Sequence, residues 1–280
     1  MNLIQELLVA LTTGLVQGTA EWLPISSKTL VLLILLVYGF EASNAYLIGL
    51  AINGATAIAA IIYFRREILE ILSSIRSPQT YEQGFALLKF LIVSTMITGL
   101  TAVPLAQVSR KLISFNENIA VIIMGFLFLL TTFFTWLRVR MAREVKVLEA
   151  KVDLIDAVLA GFAQGLSALP GISRSGITIF TLILLGHNSR DSLKLSFLMG
   201  IPATIGGIIY SYAAMPTLIG SRTIFLMVSS FTAIVVSLLV ISSLFRLSEK
   251  LKTYMFTLIL AVVTIIIGVL GMIHLSPPAP

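Results

Sequence analysis

Two stretches of the chain place hydroxyls, a cation and a helix-breaking proline close together, and they are versions of one pattern. G-L-V-Q-G-T-A-E-W-L-P-I-S-S-K-T runs from Gly14 to Thr29, and G-F-A-Q-G-L-S-A-L-P-G-I-S-R-S-G from Gly161 to Gly176. Each passes from an apolar segment through Gln-Gly and Leu-Pro to a hydroxyl-rich turn with a cation, Lys28 in the first and Arg174 in the second. A helix that resumes after Pro-x-Ser-Ser or Pro-Gly-x-Ser-Arg-Ser presents free backbone N–H groups and the positive end of its dipole, and such an end attracts anions. Ser26, Ser27, Ser173 and Ser175 add hydroxyl donors beside those ends. Arg174 adds a planar fork that matches phosphate oxygens, and Lys28 adds a point charge. The expected ligand is a multiply charged phosphate group in a low-dielectric interior.

Other residues of the motifs have more than one role open to them. Glu21 is the acidic residue well inside the motifs. It can pair with Arg174 or Lys28, hold a divalent metal, or take a proton during hydrolysis. Gln17 and Gln164 occupy matching places and either tie helices together or contact the ligand. Hydroxyls in membrane helices commonly bond a backbone carbonyl and nothing else. Their clustering beside two cations favours a ligand. Snorkelling to the surface is the competing role for Lys28, and bridging of helices the one for Arg174. His187 and His274 read as interfacial residues.

The elements that must position these residues are membrane helices. Hydrophobic residues make up 58% of the chain and charged residues 11%, with mean hydropathy +1.02, more apolar material than one soluble core needs. Apolar spans are expected near 1–16 with 21–38, then 43–64, 86–107, 117–137, 152–164 with 171–187, 191–212, 222–245 and 253–274. Met1 to Val16 lacks a basic n-region and a small-residue cleavage site, so it reads as a membrane helix. The two motif-bearing units each consist of short apolar pieces split by Pro and polar residues, which predicts broken, re-entrant hairpins. Ile61-Ile62-Tyr63 recurs as Ile208-Ile209-Tyr210 at nearly the motif spacing. The predicted fold is therefore an all-α integral membrane protein built as an inverted-topology repeat, each half a re-entrant hairpin plus three transmembrane helices. The first repeat covers 1–137 with its hairpin at 1–38, a cytoplasmic connector covers 138–151, the second repeat covers 152–274 with its hairpin at 152–187, and 275–280 form a tail.

Charge and cysteine content narrow the function classes. The net charge is +6, yet the cations flank apolar spans as membrane orientation requires, so nucleic acid is not an expected partner. Outside the motifs, Arg110, Lys111 and Arg222 fall on one side of the bilayer and the remaining Lys and Arg on the other. The crowded side is expected to be cytoplasmic, which puts both termini outside. The chain has no cysteine, which removes disulfides, thiolate catalysis and Cys-ligated metals.

At these residues the chain resembles the undecaprenyl-diphosphate phosphatase family, integral membrane enzymes that remove a phosphate from a polyprenyl diphosphate carrier lipid. The resemblance rests on Gln17 through Ser27, on Asp156-Ala157 through Gln164, on Leu169 through Thr178, and on Ser196 through Ala203, and it covers essentially the whole length. It implies Glu21, Ser26, Ser27, Ser173, Arg174 and Thr178 as active-site positions. It also implies a divalent cation, Mg²⁺ or Ca²⁺, and a pocket opening outward. Expected partners are a polyprenyl diphosphate lipid, the bilayer and a second copy of the chain in a homodimer.

Two departures from the family pattern fall in the catalytic half. Gln17 stands where the family has a glutamate, and Lys28-Thr29-Leu30 where it has Thr-Gly-His. Leu30 cannot move a proton and Gln17 cannot carry negative charge, whereas Lys28 can neutralise developing charge on a phosphoryl group. The reading carried forward is a membrane phosphatase in which Ser27 attacks phosphorus or Glu21 activates water. Its alternative is a transporter or flippase of a polyprenyl phosphate or another anion that has lost turnover.

Overall fold

The computed structural model describes residues 3–25, 27–109, 152–168, 172–214 and 222–275, and 122–137 in part. Every regular element among them is a helix. They are α1 (Leu3–Ala20), α2 (Ser27–Val37), α3 (Ala42–Tyr63), α4 (Arg65–Ser74), α5 (Glu82–Ser109), α6 (Leu154–Leu166), α7 (Arg174–Leu184), α8 (Ser189–Ala214), α9 (Thr223–Lys250) and α10 (Thr253–Leu275). By length and composition α1, α5, α9 and α10 each suffice to cross a membrane, and α3 with α4 forms a pair bent by 76°. This is a multi-pass helical membrane protein. The described part of 122–137 is helical; the connector 138–151 and residues 276–280 lie outside the described residues.

The chain forms two compact units, each drawing on both halves of the sequence. The first comprises Met1–Trp22, Ser26–Ile68 and Phe197–Leu244. Its core joins Val9 and Ala10 of α1, Val31 and Leu35 of α2, Ala45, Ile48 and Ile52 of α3, and Phe225 and Ala233 of α9. Helix α1 packs closely on α9 because Gly14 and Gly18 have no side chain. A Cβ at Gly14 would fall 2.4 Å from the Ser229 carbonyl oxygen and 2.7 Å from Thr232 Cβ, and one at Gly18 would fall 2.7 Å from the Ala233 carbonyl oxygen. Ser237 closes the contact by donating to the Gly18 carbonyl at 3.3 Å.

The second unit comprises Leu23–Ile25, Leu69–Ser196 and Phe245–Pro280. Here α6 packs on α5 in the same manner. A Cβ at Gly161 would fall 2.6 Å from the Ser94 carbonyl oxygen and 3.1 Å from Ile97 Cβ, and one at Gly165 would overlap Thr101. Three contacts of each set correspond. Gly14 and Gly18 meet positions 229, 232, 233 and 236; Gly161 and Gly165 meet 94, 97 and 101, and the same displacement along the chain carries 94 to 229, 97 to 232 and 101 to 236. Each Gln-Gly motif is thus packed against the long helix of the other half.

The helix boundaries follow local chemistry, with two departures from the sequence reading. Helix α1 runs to Ala20 and has 18 residues, longer than the short piece expected over 1–16. Gly18 does not stop it, because the missing side chain is what the α9 contact requires. Pro24 does, since it has no N–H to bond the Ala20 carbonyl. The second interruption separates pieces of 13 and 11 residues, α6 and α7, as expected. Asp153 starts α6 with a capping box, its side chain accepting from the Asp156 N–H while Asp156 accepts from the Asp153 N–H. The other departure is α4, a helix where no element was expected.

Candidate active site

In the first unit the site begins on the last turn of α1. Gln17 and Glu21 are four residues apart and share one face of that turn, which the bond from the Glu21 N–H to the Gln17 carbonyl extends past Ala20. Gln17 Nε2 donates to Glu21 Oε2 at 3.0 Å and to Asn53 Oδ1 of α3 at 2.9 Å. Thr56, one turn further along α3, donates to the same Asn53 oxygen at 3.1 Å. Ser27, the first residue of α2, donates to Glu21 Oε2 at 2.6 Å. Gln17, Glu21, Asn53, Thr56 and Ser27 are all buried. Charged-partner hydrogen bonds of this length are among the stronger ones, and they fix the Glu21 carboxylate against the Ser27 hydroxyl.

In the second unit the site is built at the start of α7. Ser173 caps the helix, accepting from the Gly176 N–H at 3.2 Å. Ser173 and Ser175 both donate to the Leu23 carbonyl, at 3.2 and 2.9 Å. A Cβ at Gly176 would sit 3.1 Å from Pro24, so the helix start lies directly on that proline. The Leu-Pro break of the first motif therefore meets the Ser-Arg-Ser turn of the second. Arg174 is half-buried on the first turn of α7 and reaches the Ser196 carbonyl at 3.5 Å. Thr178 is fully buried; it donates to the Arg174 carbonyl at 2.9 Å and pairs with the Ser196 hydroxyl at 2.5 Å.

The remaining sequence candidates are placed as follows. Lys28 is exposed on the first turn of α2, and Ser26 lies outside the described residues. Gln164 is buried on α6 and donates to Thr98 of α5 at 3.1 Å, so it ties two helices, as Gln17 ties α1 to α3. His187 is not interfacial. It is buried, and its Nε2 lies 3.1 Å from Asp156 Oδ2, joining the far end of α7 to the first turn of α6. The left-handed Gly186, φ 108°, and the bond from the His187 N–H to the Leu182 carbonyl turn the chain back at that point. Sequence reasoning missed Asn53, Thr56 and Ser196. A polar Asn53 in an otherwise apolar span was the available signal for the first of them.

Chemically, the first cluster joins a hydroxyl to a carboxylate that can accept its proton, and the second offers a guanidinium, a helix start and capped hydroxyls suited to phosphate oxygens. Among the described residues no three His, Asp or Glu converge on a metal-sized site. Glu21 supplies one carboxylate. It is the residue of this cluster that could hold a divalent cation.

Comparison with known proteins agrees with this chemistry. Residues 10–269 match the family described as bacitracin resistance protein BacA. An undecaprenyl-diphosphatase of Saccharolobus islandicus (strain Y.N.15.51 / Yellowstone #2) is 34% identical over 276 residues, covering 95% of this chain and 98% of that protein. One of Saccharolobus solfataricus is 36% identical over 273 residues, covering 95% and 96%. One of Sulfurisphaera tokodaii is 33% identical, covering 96% and 98%. With the paired Gln-Gly motifs, the two interruptions in contact and a match along nearly its whole length, this chain belongs to the BacA family.

Proposed function

We propose that this protein is an integral membrane phosphatase that converts a polyprenyl diphosphate of the undecaprenyl diphosphate type to the monophosphate, recycling the carrier lipid. The observation that carries the reading is the 2.6 Å hydrogen bond from Ser27 to Glu21, a nucleophile and a base already in contact. Ser27 Oγ attacks the terminal phosphorus as its proton passes to Glu21. The bond to the bridging oxygen breaks, the polyprenyl monophosphate leaves, and water then releases inorganic phosphate from the serine. In the second route Glu21 takes the proton of a water that attacks the same phosphorus. Arg174 and Lys28 neutralise charge on the phosphoryl oxygens in either route. Ser26, Ser173, Ser175 and Thr178 shape the phosphate site, with Gln17 and Gln164 holding the helices that carry it. Glu21 would hold a divalent cation, which when bound polarises phosphoryl oxygens.

Gln17 is compatible with turnover. Its amide donates to Glu21 and to Asn53 at once, which fixes the base where a second carboxylate would repel it. With Leu30 unable to move a proton, base catalysis rests on Glu21.

The proposed architecture is an inverted repeat with two re-entrant hairpins, both termini outside and the diphosphate reached from that side. The reciprocal glycine contacts and the meeting of the two interruptions support it. The transporter alternative is not favoured, since the nucleophile and base are paired and the relatives are named as diphosphatases. The test is phosphate release from undecaprenyl diphosphate and Mg²⁺ by the detergent-purified protein. Release abolished by Glu21→Ala and Arg174→Ala is expected. Stoichiometric binding with no release would sink the phosphatase in favour of the transporter.

A further inference from the structure

Helix α4 has an apolar face left exposed among the described residues. Ile71 and Ser74 face inward and are buried. Gly84 of α5 lies so close that a Cβ there would fall 2.6 Å from the Glu70 carbonyl oxygen, so one side of α4 is clamped to the start of α5. The opposite side shows Leu69 at 61% and Leu72 at 55% exposure, and Ile75, 59% exposed, follows directly after the last turn. These positions recur at three-residue intervals and form one stripe. Exposed Arg65, Arg66 and Arg76 stand at the two ends of the helix. Acidic Glu67 and Glu70 lie off the stripe, half-buried toward the protein.

We propose that α4 lies in the surface of the bilayer, with Leu69, Leu72 and Ile75 at the boundary of the acyl chains and the terminal arginines at the headgroup phosphates. Three observations single out lipid as the occupant. The helix leaves α3 at 76°, which turns it away from the direction of a spanning helix. The helices before and after it in the chain also expose apolar residues, Ile61 and Ile62 at the end of α3 and Ile92 and Met96 on α5. The arginines at both ends complement phosphate, and their apolar stems can lie along the acyl boundary while the guanidinium groups reach out. Tyr81, exposed between α4 and α5, has the amphipathic ring favoured at that depth.

The chain has no cysteine, so single substitutions can be labelled without background. Leu69→Cys, Leu72→Cys and Ile75→Cys, each spin-labelled and reconstituted into phosphatidylcholine–phosphatidylglycerol vesicles, are compared with Ser77→Cys and with Met96→Cys on the spanning helix α5. The expected result is collision with oxygen above that of the Ser77 label, collision with a water-soluble nickel chelate below it, and a depth shallower than that of the Met96 label. Strong nickel collision at all three would place the stripe in water and overturn the proposal. So would labels shielded from both reagents, which would mean a protein partner, or labels as deep as that at position 96, which would make α3 and α4 one broken span. Phosphate release is recorded for each labelled protein, so a failure of the enzymatic reading stays separate from a failure of this one.

Discussion

Ser27 donates to Glu21 Oε2 across 2.6 Å, and Gln17 donates to the same oxygen from the preceding turn at 3.0 Å. One carboxylate oxygen therefore receives both the hydroxyl it can deprotonate and the amide that holds it still. Under the proposed chemistry, loss of Glu21 should be more damaging than loss of Ser173 or Ser175. Glu21→Gln keeps the shape and removes the acceptor of a proton, and phosphate release is expected to fall by about 10²–10⁴-fold. Steady-state release with undecaprenyl diphosphate measures it; activity within a few-fold of the parent would remove Glu21 from the chemistry.

Asn53 gives a milder prediction. Asn53→Ala removes the oxygen that Gln17 and Thr56 share, so Gln17 loses its anchor while Ser27 and Glu21 keep theirs. A roughly tenfold fall in kcat, about 1.4 kcal/mol of barrier, with little change in KM is the expected split. A raised KM at unchanged kcat would instead assign Asn53 to substrate binding.

The glycine contacts predict stability with a built-in control. Gly18→Val and Gly165→Val must displace backbone or Thr101 and should cost about 1–3 kcal/mol from overpacking. Gly99→Ala, with nothing within 4 Å of the added carbon, should be neutral or stabilise by about 0.5–1 kcal/mol through helix propensity. Thermal unfolding in one detergent ranks the three. Equal melting temperatures would mean that α1 and α6 do not pack as described.

His187→Ala removes a partner of the buried Asp156 and should destabilise the α6–α7 hairpin by about 1–3 kcal/mol. His187→Gln, which can still donate, is expected to recover part of that loss. Limited proteolysis between α6 and α7 would report the loosening. Unchanged protection in both variants would leave the pair without a structural role.

How far the sequence led depended on whether a feature was local. The interruption at Pro24 and the spans of α3, α5, α9 and α10 follow from residues near in sequence, so their positions were readable within a few residues. Helix α4 was not, because Arg65 to Ser74 mixes charge with apolar residues over a length too short to stand alone; its clamp on Gly84 supplies what propensity lacks. The partner of His187 was equally hidden, since Asp156 lies a whole hairpin away. At the site the residue types were legible and their pairing was not. Nothing in the spacing says that Gln17 should serve Glu21 and Asn53 together, or that Ser173 and Ser175 should both bond the Leu23 carbonyl.

The exchange of long helices between the halves bears on how the chain is made. Helix α1 emerges from the ribosome long before α9, which carries the surface its two glycines need. Helix α6 finds α5 already inserted. The contact of α6 with α5 can therefore form while translation is under way, whereas the glycine face of α1 has no α9 to meet until that helix is made.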